Sequence, residues 1–595
     1  MRPIGCEAMR RTGNDAMRRT GIDGKHGKGR RRAVWLRVTA ACIGALLLIP
    51  IPAASQPTTE VPKTGRLHAV VAFVRFQDDD QLRAGCITRA RREWRDLNGL
   101  PEVAHHILSP SPEPPFADSS LTAYFYQQSQ GNLTLYGRTY PRLIVTRRQE
   151  SAYKRGRGNV LDRAALSREI LERMDADPEF DLSDFDANGD GHIDYLFVVL
   201  REMHELQLVS GGAPALANLG IAPRSVTSPR AGAEQRTVNA ARASEAPSVA
   251  RGSYAIYRSS GVIIPQMDLV RLIAHEFGHD LWEGTPLSGG HIPYLGGEYG
   301  VPANGERRLG YALMVGRLST GARDVIDTRG DMTVSAFERD LLGEGWIDCE
   351  ELSMPGTVVL GDLYTESDCR TLIIRNGDSR RTLYLSNRQR VGYFDRLQYN
   401  PCQSSYHGLM TTGLLVHVRE ERRLGVPAAD NTLELSIDEG TYEGDLYGPG
   451  SKAQLTPWTR PNVSGFTDYP PDYVMEPDNW QAIDDIRYDD GNKASFEYIG
   501  DIRQRPIIRE DSWMGAETSG TAFNNDIIVT SGAALTIESG TTIRLGGRAR
   551  LVVQEGARLV VEPGALVELG PGSGVDAEGD VELPGNGEDP FSISN

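Results

Sequence analysis

The stretch Leu272–Gly284 reads LIAHEFGHDLWEG. His275 and His279 stand four residues apart in an apolar context that includes Leu269, Val270, Leu272, Ile273 and Phe277. A helix of that pattern carries both imidazoles on one face, a turn apart, where one tetrahedral cation reaches both. Glu276 then lies beside the cation and not on it. A carboxylate there can take a proton from an activated water and hand it to a leaving amine. Two histidines four apart also arise by accident in buried helices, held by backbone hydrogen bonds. The apolar flanks, the acid at the one position this chemistry needs, and a glycine-rich chain reversal from Gly289 favour a metal site.

At 595 residues the chain exceeds one core, and three domains are expected. Its first part is read separately. GKGRRRAVWLR is basic, Val38–Ile49 is an apolar run of twelve, and IPAAS ends in small residues. That is the pattern of a secretory signal with cleavage near Ser55, too short to span a bilayer. Residues 1–55 are therefore taken as an N-terminal extension and signal peptide, the extension carrying AMRRTG twice. They hold eleven Lys/Arg against three Asp/Glu, so their removal takes the formal charge from −16 to −24. No basic stripe interleaved with aromatics occurs, which argues against nucleic acid as a partner. Acidity suits a secreted protein that binds calcium. No later apolar run is long enough for a membrane span. Four cysteines remain after the signal, Cys86, Cys349, Cys369 and Cys402, without zinc-knuckle spacing. Two disulfides are expected in one of three connectivities, with Cys349–Cys369 preferred because both flank one strand region.

RLHAVVAFVRFQ (66–77) and DYLFVVLRE (194–202) have strand composition. Between them, SSLTAYFYQQSQGNLTLYG has helical spacing through Leu121, Tyr124 and Phe125, a stop at Gly131, then a strand. Strand, helix, strand and the histidine helix describe an α/β catalytic domain over 56–345. Its segment of about 204–260 is Ala/Ser/Arg/Gly/Pro-rich and is expected to be a long exposed insertion. Phe337, Leu341 and Leu342 predict an amphipathic helix ending at Gly343. Over 346–502, TLIIRN, TLYLSNRQ, GLLVHVREE, LELSIDEG and KASFEYIG predict an antiparallel β-sandwich.

The last segment, 503–595, is repetitive. From Gly532 it reads GAALTIES, GTTIRLGG, RARLVVQE, GARLVVEP, GALVELGP. Leu535, Ile543, Leu551, Leu559 and Val567 recur at one position, and Ile537, Leu545, Val553, Val561 and Leu569 two residues later. Two inward side chains per octad predict short strands of a β-solenoid, stable only when stacked. Such a module would serve as a stalk or a means of attachment to the cell surface.

DANGDGHID supplies oxygen donors at Asp186, Asn188 and Asp190, a turn at Gly191, the His192 carbonyl, then Asp194. This is the first three-quarters of a calcium loop. The bidentate acid expected twelfth is missing, because Phe197 stands there. The expectation is a structural calcium clamp before a strand, the alternative a solvated Asx-rich turn.

In their order, AVVAFVRFQDDD, LTAYFYQQSQGNLTLYG, the Asp-rich loop before YLFVVL, HEFGHDL, ALM and SAFERDLLGEGWI resemble secreted bacterial zinc metallopeptidases similar to immune inhibitor A. LYLSNRQRVGYFD, GLLVHVRE and GDLYGPG extend the resemblance, which covers roughly residues 66–500 and leaves out the terminal repeats. It implies a multidomain chain whose α/β catalytic domain is zincin-like and metzincin-like, with secreted zinc endopeptidase activity on protein or peptide substrates and often bound calcium. The alternative is a non-catalytic exported adhesin on a degenerate metallopeptidase fold. One departure concerns the metal. Where that family has a glycine and then an acidic residue after the second histidine, this chain has Trp282 and Thr285. Threonine is a poor zinc ligand, so the third ligand comes from elsewhere or the site is degenerate. Glu283 lies a turn beyond His279, and Glu298 sits in LGGEYGV, which cannot form the helix that carries such a ligand. His291 follows PLSGG, a turn able to present an imidazole, and is the expected third ligand with Glu298 as runner-up. Met314 in YALMVG takes the place of the family's methionine turn, an apolar floor under the metal, with ordinary core packing the alternative.

Overall fold

A computed structural model describes residues 61–79, 94, 96–209, 215–221, 249–257, 265–285, 287, 313–314, 334–343, 345–346, 352, 354–363, 371–375, 381–389, 391, 393–396, 413–420, 423–425, 454–459, 480–489, 493–515, 518–585 and 589–593. The expected signal segment, all six cysteines and the strand expected at LELSIDEG lie outside these residues. Several sheets and few helices make up the described chain, which is α/β in its first part and mostly β after it.

The first sheet is built on β1 (Gly65–Arg75). After it come α1 (Leu121–Gln128), capped by the Ser120 hydroxyl, then β2 (Leu133–Thr139) and β3 (Ile144–Val145). The next elements are α2 (Arg163–Asp175), β4 (Ile193–Leu200), β5 (Ala215–Leu216), β6 (Val249–Ile256) and α3 (Pro265–Leu281). Strand order is β2-β1-β4-β6-β5, with β3 paired to the end of β1. Only β5 runs antiparallel to its neighbour. β4 is buried along its whole length, as a central strand covered on both faces must be. Alternate residues serve opposite faces. Ala69, Val71, Phe73, Tyr195, Phe197 and Val199 join one core with α1 and α3, while Val70, Ala72, Val74, Leu196, Val198 and Leu200 join another with α2. The sheet is thus the middle of three layers.

The expected exposed insertion at about 204–260 requires correction. Residues 210–214, 222–248 and 258–260 lie outside the described part, but the described stretches on either side of 222–248 belong to the fold. Leu206 and Leu208 are buried, Ala215–Leu216 is the antiparallel edge strand, and Val249–Ile256 pairs with β4 along its length. Within VARGSYAI, Arg251, Gly252 and Ser253 interrupt the apolar run, and the strand is recognised by its pairing with β4. Gly252 is needed there, since a Cβ would run into the Leu196 carbonyl oxygen. Helix α2 is a further element that the strand-and-helix reading did not include.

Beyond this sheet comes α4 (Ala336–Leu342), which stops at Gly343 with φ 81°. Strands β7 (Gly356–Leu360), β8 (Thr371–Arg375), β9 (Arg381–Arg388), β10 (Gly413–Glu420), β11 (Arg423–Gly425), β12 (Ile483–Tyr488) and β13 (Ala494–Tyr498) form two antiparallel sheets, β11-β10-β9-β8 and β12-β13-β7. Leu383, Leu385, Leu414 and Val416 of one meet Leu360, Ile483 and Phe496 of the other in one core, a face-to-face packing. Tyr384 also reaches back to α4, its hydroxyl donating to Asp340 at 2.9 Å and its ring 5.6 Å from Phe337.

From Ile507 to Ile593, twelve short strands, β14 to β25, form three parallel four-stranded sheets. Each octad pairs with the octad three further on, Leu535 opposite Leu559 and Ile543 opposite Val567, so the chain visits the three sheets in rotation. Both recurrent apolar positions point inward; all are buried save Leu569, which is partly so. Outside, Arg544–Glu568, Arg550–Asp576 and Arg558–Glu582 pair charges along the stack. The boundary expected at 503 is not a clean one, because Trp458, Trp480 and Ile502 share the core of this stack.

Gly252→Ala should lower the stability of the first sheet by about 1–3 kcal/mol, because backbone must move to admit the methyl group. An unchanged denaturation midpoint would show that β4 and β6 are not in the close contact described.

Candidate functional site

Phe277 orients the histidine helix. Its ring lies 4.8 Å from Phe125, 5.0 Å from Tyr195 and 6.2 Å from Phe197, with Val270, Ile273 and Leu281 in the same core. At about 3.6 residues per turn, positions two before and two after a buried residue point the other way. His275 and His279 therefore face away from the sheet, half-buried, with ring centroids 5.0 Å apart.

Each imidazole is held from behind. His275 Nδ1 donates to the Leu313 carbonyl at 2.7 Å, and His279 Nδ1 to the Leu287 carbonyl at 2.9 Å. A carbonyl only accepts, so Nδ1 carries the proton and the lone pair falls to Nε2 on both rings, the arrangement a bound cation requires. Burial lowers the His279 pKa, the Leu287 carbonyl opposing, so the ring is biased toward the neutral form a metal needs.

Glu276 is buried beside them. Burial pushes its carboxyl up to about 8; a hydrogen bond from the Ala217 backbone, just past β5, opposes the shift and the charge of Asp280 adds to it. Asp280 is itself raised to about 6, chiefly by burial, although Tyr195 Oη donates to it at 2.8 Å and Arg251 Nη1 at 3.3 Å.

Trp282 and Thr285 shape the end of the histidine helix. Trp282 is fully buried and donates from Nε1 to the Glu338 carbonyl at 2.9 Å. The chain turns two residues later, at Gly284, with φ 80°. Thr285 Oγ1 donates to the Trp282 carbonyl at 2.7 Å and accepts from Leu287 N at 3.2 Å, closing the helix end. This turn brings the Leu287 carbonyl to His279. Glu283 pairs with Arg251 of β6, and its carboxylate is engaged there. His291 and Glu298 lie outside the described residues.

Met314 is fully buried, and its sulfur lies so close to Gly278 that a Cβ there would collide with it. Met314 thus packs directly against α3 at Gly278. Glu338 of α4 holds the Leu313–Met314 segment: Met314 N donates to Oε1 at 2.6 Å and Leu313 N to Oε2 at 3.2 Å. Ser335 N and Oγ donate to Oε2 as well, at 2.6 and 2.9 Å, and burial nonetheless raises the carboxyl to about 7.

The second group of expected ligands occupies the loop leading into β4. Asp190 N and Gly191 N donate to the two oxygens of Asp186 at 3.0 and 2.8 Å, and His192 N donates to Asp190 Oδ1 at 2.9 Å. Asn188 Oδ1 also accepts from Asp190 N. Asp190 Oδ2 and Asp194 Oδ1 are buried without a hydrogen-bond partner. Buried oxygens left this way are what a hard cation satisfies. Burial, and secondarily the charges of Asp186 and Asp190, raise Asp194 to about 6. Phe197, at the twelfth position, is buried in β4.

A further donor group, Asp79, Glu202 and His204, brings ligand atoms within 4.8 Å of one another. Arg201 Nη1 donates to Asp79 Oδ1 at 2.6 Å, so a guanidinium already supplies the positive charge and the group is a buried ion-pair cluster.

Sequence reasoning missed Asp280, Tyr195, Arg251 and Glu338. Ser335 followed three residues later by Glu338 is a helix-start pattern, and the structure forms that capping box. No family model matches the chain, and no curated protein matches it.

The pH dependence of stability tests the loop. A carboxyl raised from 3.8 to about 6 binds its proton more tightly in the folded state, so its stabilisation is present below about pH 4 and lost as pH rises through 6. In chelator-treated protein, the melting temperature of wild type relative to Asp194→Asn should therefore fall between pH 4 and 7, and calcium should remove that fall. A difference that is flat with pH, and unmoved by calcium, would show that the loop is only a turn.

Proposed function

We propose that the chain is a secreted zinc endopeptidase. The reading is carried by the two histidines, turned to one side with each Nδ1 on a backbone carbonyl and Glu276 buried between them. The antiparallel edge strand beside Glu276 fits the zincin-like fold implied by the resemblance to the immune inhibitor A family. His275 and His279 would hold zinc, with His291 as third ligand and Glu298 as runner-up. When bound, zinc supplies Lewis acidity that activates a water and polarises the scissile carbonyl. Glu276 accepts the proton of the attacking water and delivers it to the departing amine. A cation beside Glu276 offsets the burial that otherwise keeps its proton on to about pH 8, and so readies it as a base. Asp280, tied to Tyr195 and Arg251, fixes the helix against β4 and β6 while the carboxylate works.

Calcium at Asp186, Asn188, Asp190, the His192 carbonyl and Asp194 would pin the start of β4, whose Tyr195 and Phe197 support the histidine helix. The parallel stack from Ile507 is read as a β-solenoid suited to a stalk or cell-surface attachment. Secretion rests on the residues of the first fifty-five positions. No helix of the described residues is long and apolar enough to cross a membrane.

Casein hydrolysis by the zinc-loaded protein should be abolished by chelation and reduced about 10²–10⁴-fold by Glu276→Gln, the range of general acid–base catalysis. Zinc-loaded protein inert on casein and on varied peptides would replace this reading with that of a non-catalytic exported adhesin.

Zinc stoichiometry after gel filtration identifies the third ligand. His291→Ala should lose the metal, while Glu283→Ala should keep it because that carboxylate is engaged by Arg251. Loss in Glu298→Ala alone would exchange the ligand, and retention in all three would refute the proposed coordination.

A further inference from the structure

We infer that Glu338 is a positioning residue for the metal site: through the backbone of Leu313 and Met314 it aims the carbonyl that orients His275. The inference rests on the zinc reading above. Its geometry is a relay of three links. The Glu338 carboxylate accepts from Met314 N at 2.6 Å and Leu313 N at 3.2 Å. Both amides precede or flank the Leu313 carbonyl, which is thereby fixed in direction. That carbonyl accepts from His275 Nδ1 at 2.7 Å.

Glu338 is well placed to be rigid. It is fully buried in the first turn of α4, where Ser335 Oγ accepts from its amide at 3.2 Å and returns a hydrogen bond to its carboxylate at 2.9 Å. Its own carbonyl accepts the Trp282 indole N–H at 2.9 Å, which ties the same residue to the end of the histidine helix. One side chain and one carbonyl therefore bind the Leu313–Met314 segment and α3 to α4. Burying a carboxylate is unfavourable unless donors surround it. Four donors, three of them backbone amides, meet that requirement, and an apolar side chain would leave those amides unpaired. A role confined to capping α4 would need only the Ser335 contacts. The bonds to Leu313 and Met314 point away from the helix and toward the metal site.

Partners that fix the second ring nitrogen of a ligating histidine set its tautomer, and their loss costs about 10–100-fold in metal affinity. Glu338→Gln keeps the size of the side chain but replaces one acceptor by a donor among amides that also donate. Ser335→Ala is the milder variant, removing one donor to the carboxylate and leaving Glu338 in place.

The experiment uses the full chain, metal-free and then titrated with zinc against a competing chelator, at a temperature where circular dichroism shows each variant folded. Selective ¹⁵N-histidine labelling reads the His275 tautomer before metal is added. Wild type should show His275 protonated at Nδ1. Glu338→Gln should show a mixture with the Nε2 form and bind zinc 10–100-fold more weakly, and Ser335→Ala should shift both in the same direction by less. Should Glu338→Gln fail to fold, Ser335→Ala with its tautomer and affinity carries the test. Unchanged tautomer and zinc affinity in the folded variants would overturn the inference even if melting temperatures fall, since lowered stability alone is what a purely structural role predicts. Wild type that binds no zinc would refute the zinc reading, and the tautomer comparison would still decide whether Glu338 orients His275.

Discussion

The packing of Phe277 into the face of the first sheet is the constraint on which the candidate site depends. A ring of that size, seated among Phe125, Tyr195 and Phe197, fixes the rotation of α3 about its axis. Aromatic pairs of this kind contribute about 0.5–1.5 kcal/mol each beyond the area they bury. More important here is direction. With Phe277 inward, His275 and His279 have one side left to occupy, and Gly278 falls where Met314 needs a neighbour without a Cβ. The sheet therefore supplies orientation to the histidines through Phe277.

Holding carboxylates near such a site has a cost, and the structure meets it with backbone donors and paired charges. Glu338 is surrounded by donors, Asp280 has Tyr195 and Arg251, and Glu283 has Arg251. Glu276 is different. Burial pushes its carboxyl up to about 8, and the hydrogen bond from the Ala217 backbone opposes that shift only in part. A carboxyl whose proton is retained by burial is one whose ionised form a neighbouring cation would favour.

Much of this was legible in the residues, for identifiable reasons. β1, β4, α1 and α4 announce themselves because their apolar periodicity is dense and their stops are glycines, as at Gly131 and Gly343. The octads repeat two inward positions without interruption, and those positions are the buried ones up to Leu569, which is partly so. What was not legible was pairing across distance. No spacing in the sequence links an octad with the one three further on, Glu338 with Leu313, or Tyr195 with Asp280. β6 was hidden for a different reason: VARGSYAI follows a long Ala/Ser/Arg/Gly/Pro-rich stretch and carries Arg251, Gly252 and Ser253 at its centre, which interrupt its apolar run. Helix α2 was there to be read in Leu166, Ile170 and Met174, four residues apart, but the charged residues between them obscured it. Trp282 shows the same limit, since its burial against α4 and the turn at Gly284 depend on contacts that no local spacing announces.

X-ray absorption at the zinc edge tests the central claim most directly, because it reads the ligands of the metal without reference to activity. The account predicts about one zinc per chain with nitrogen or oxygen neighbours at about 2.0–2.1 Å, multiple-scattering features of imidazole, no sulfur in the shell, and loss of the metal in His275→Ala and His279→Ala. Protein that purifies and reconstitutes without zinc, or that binds it equally well after either histidine is removed, would contradict it.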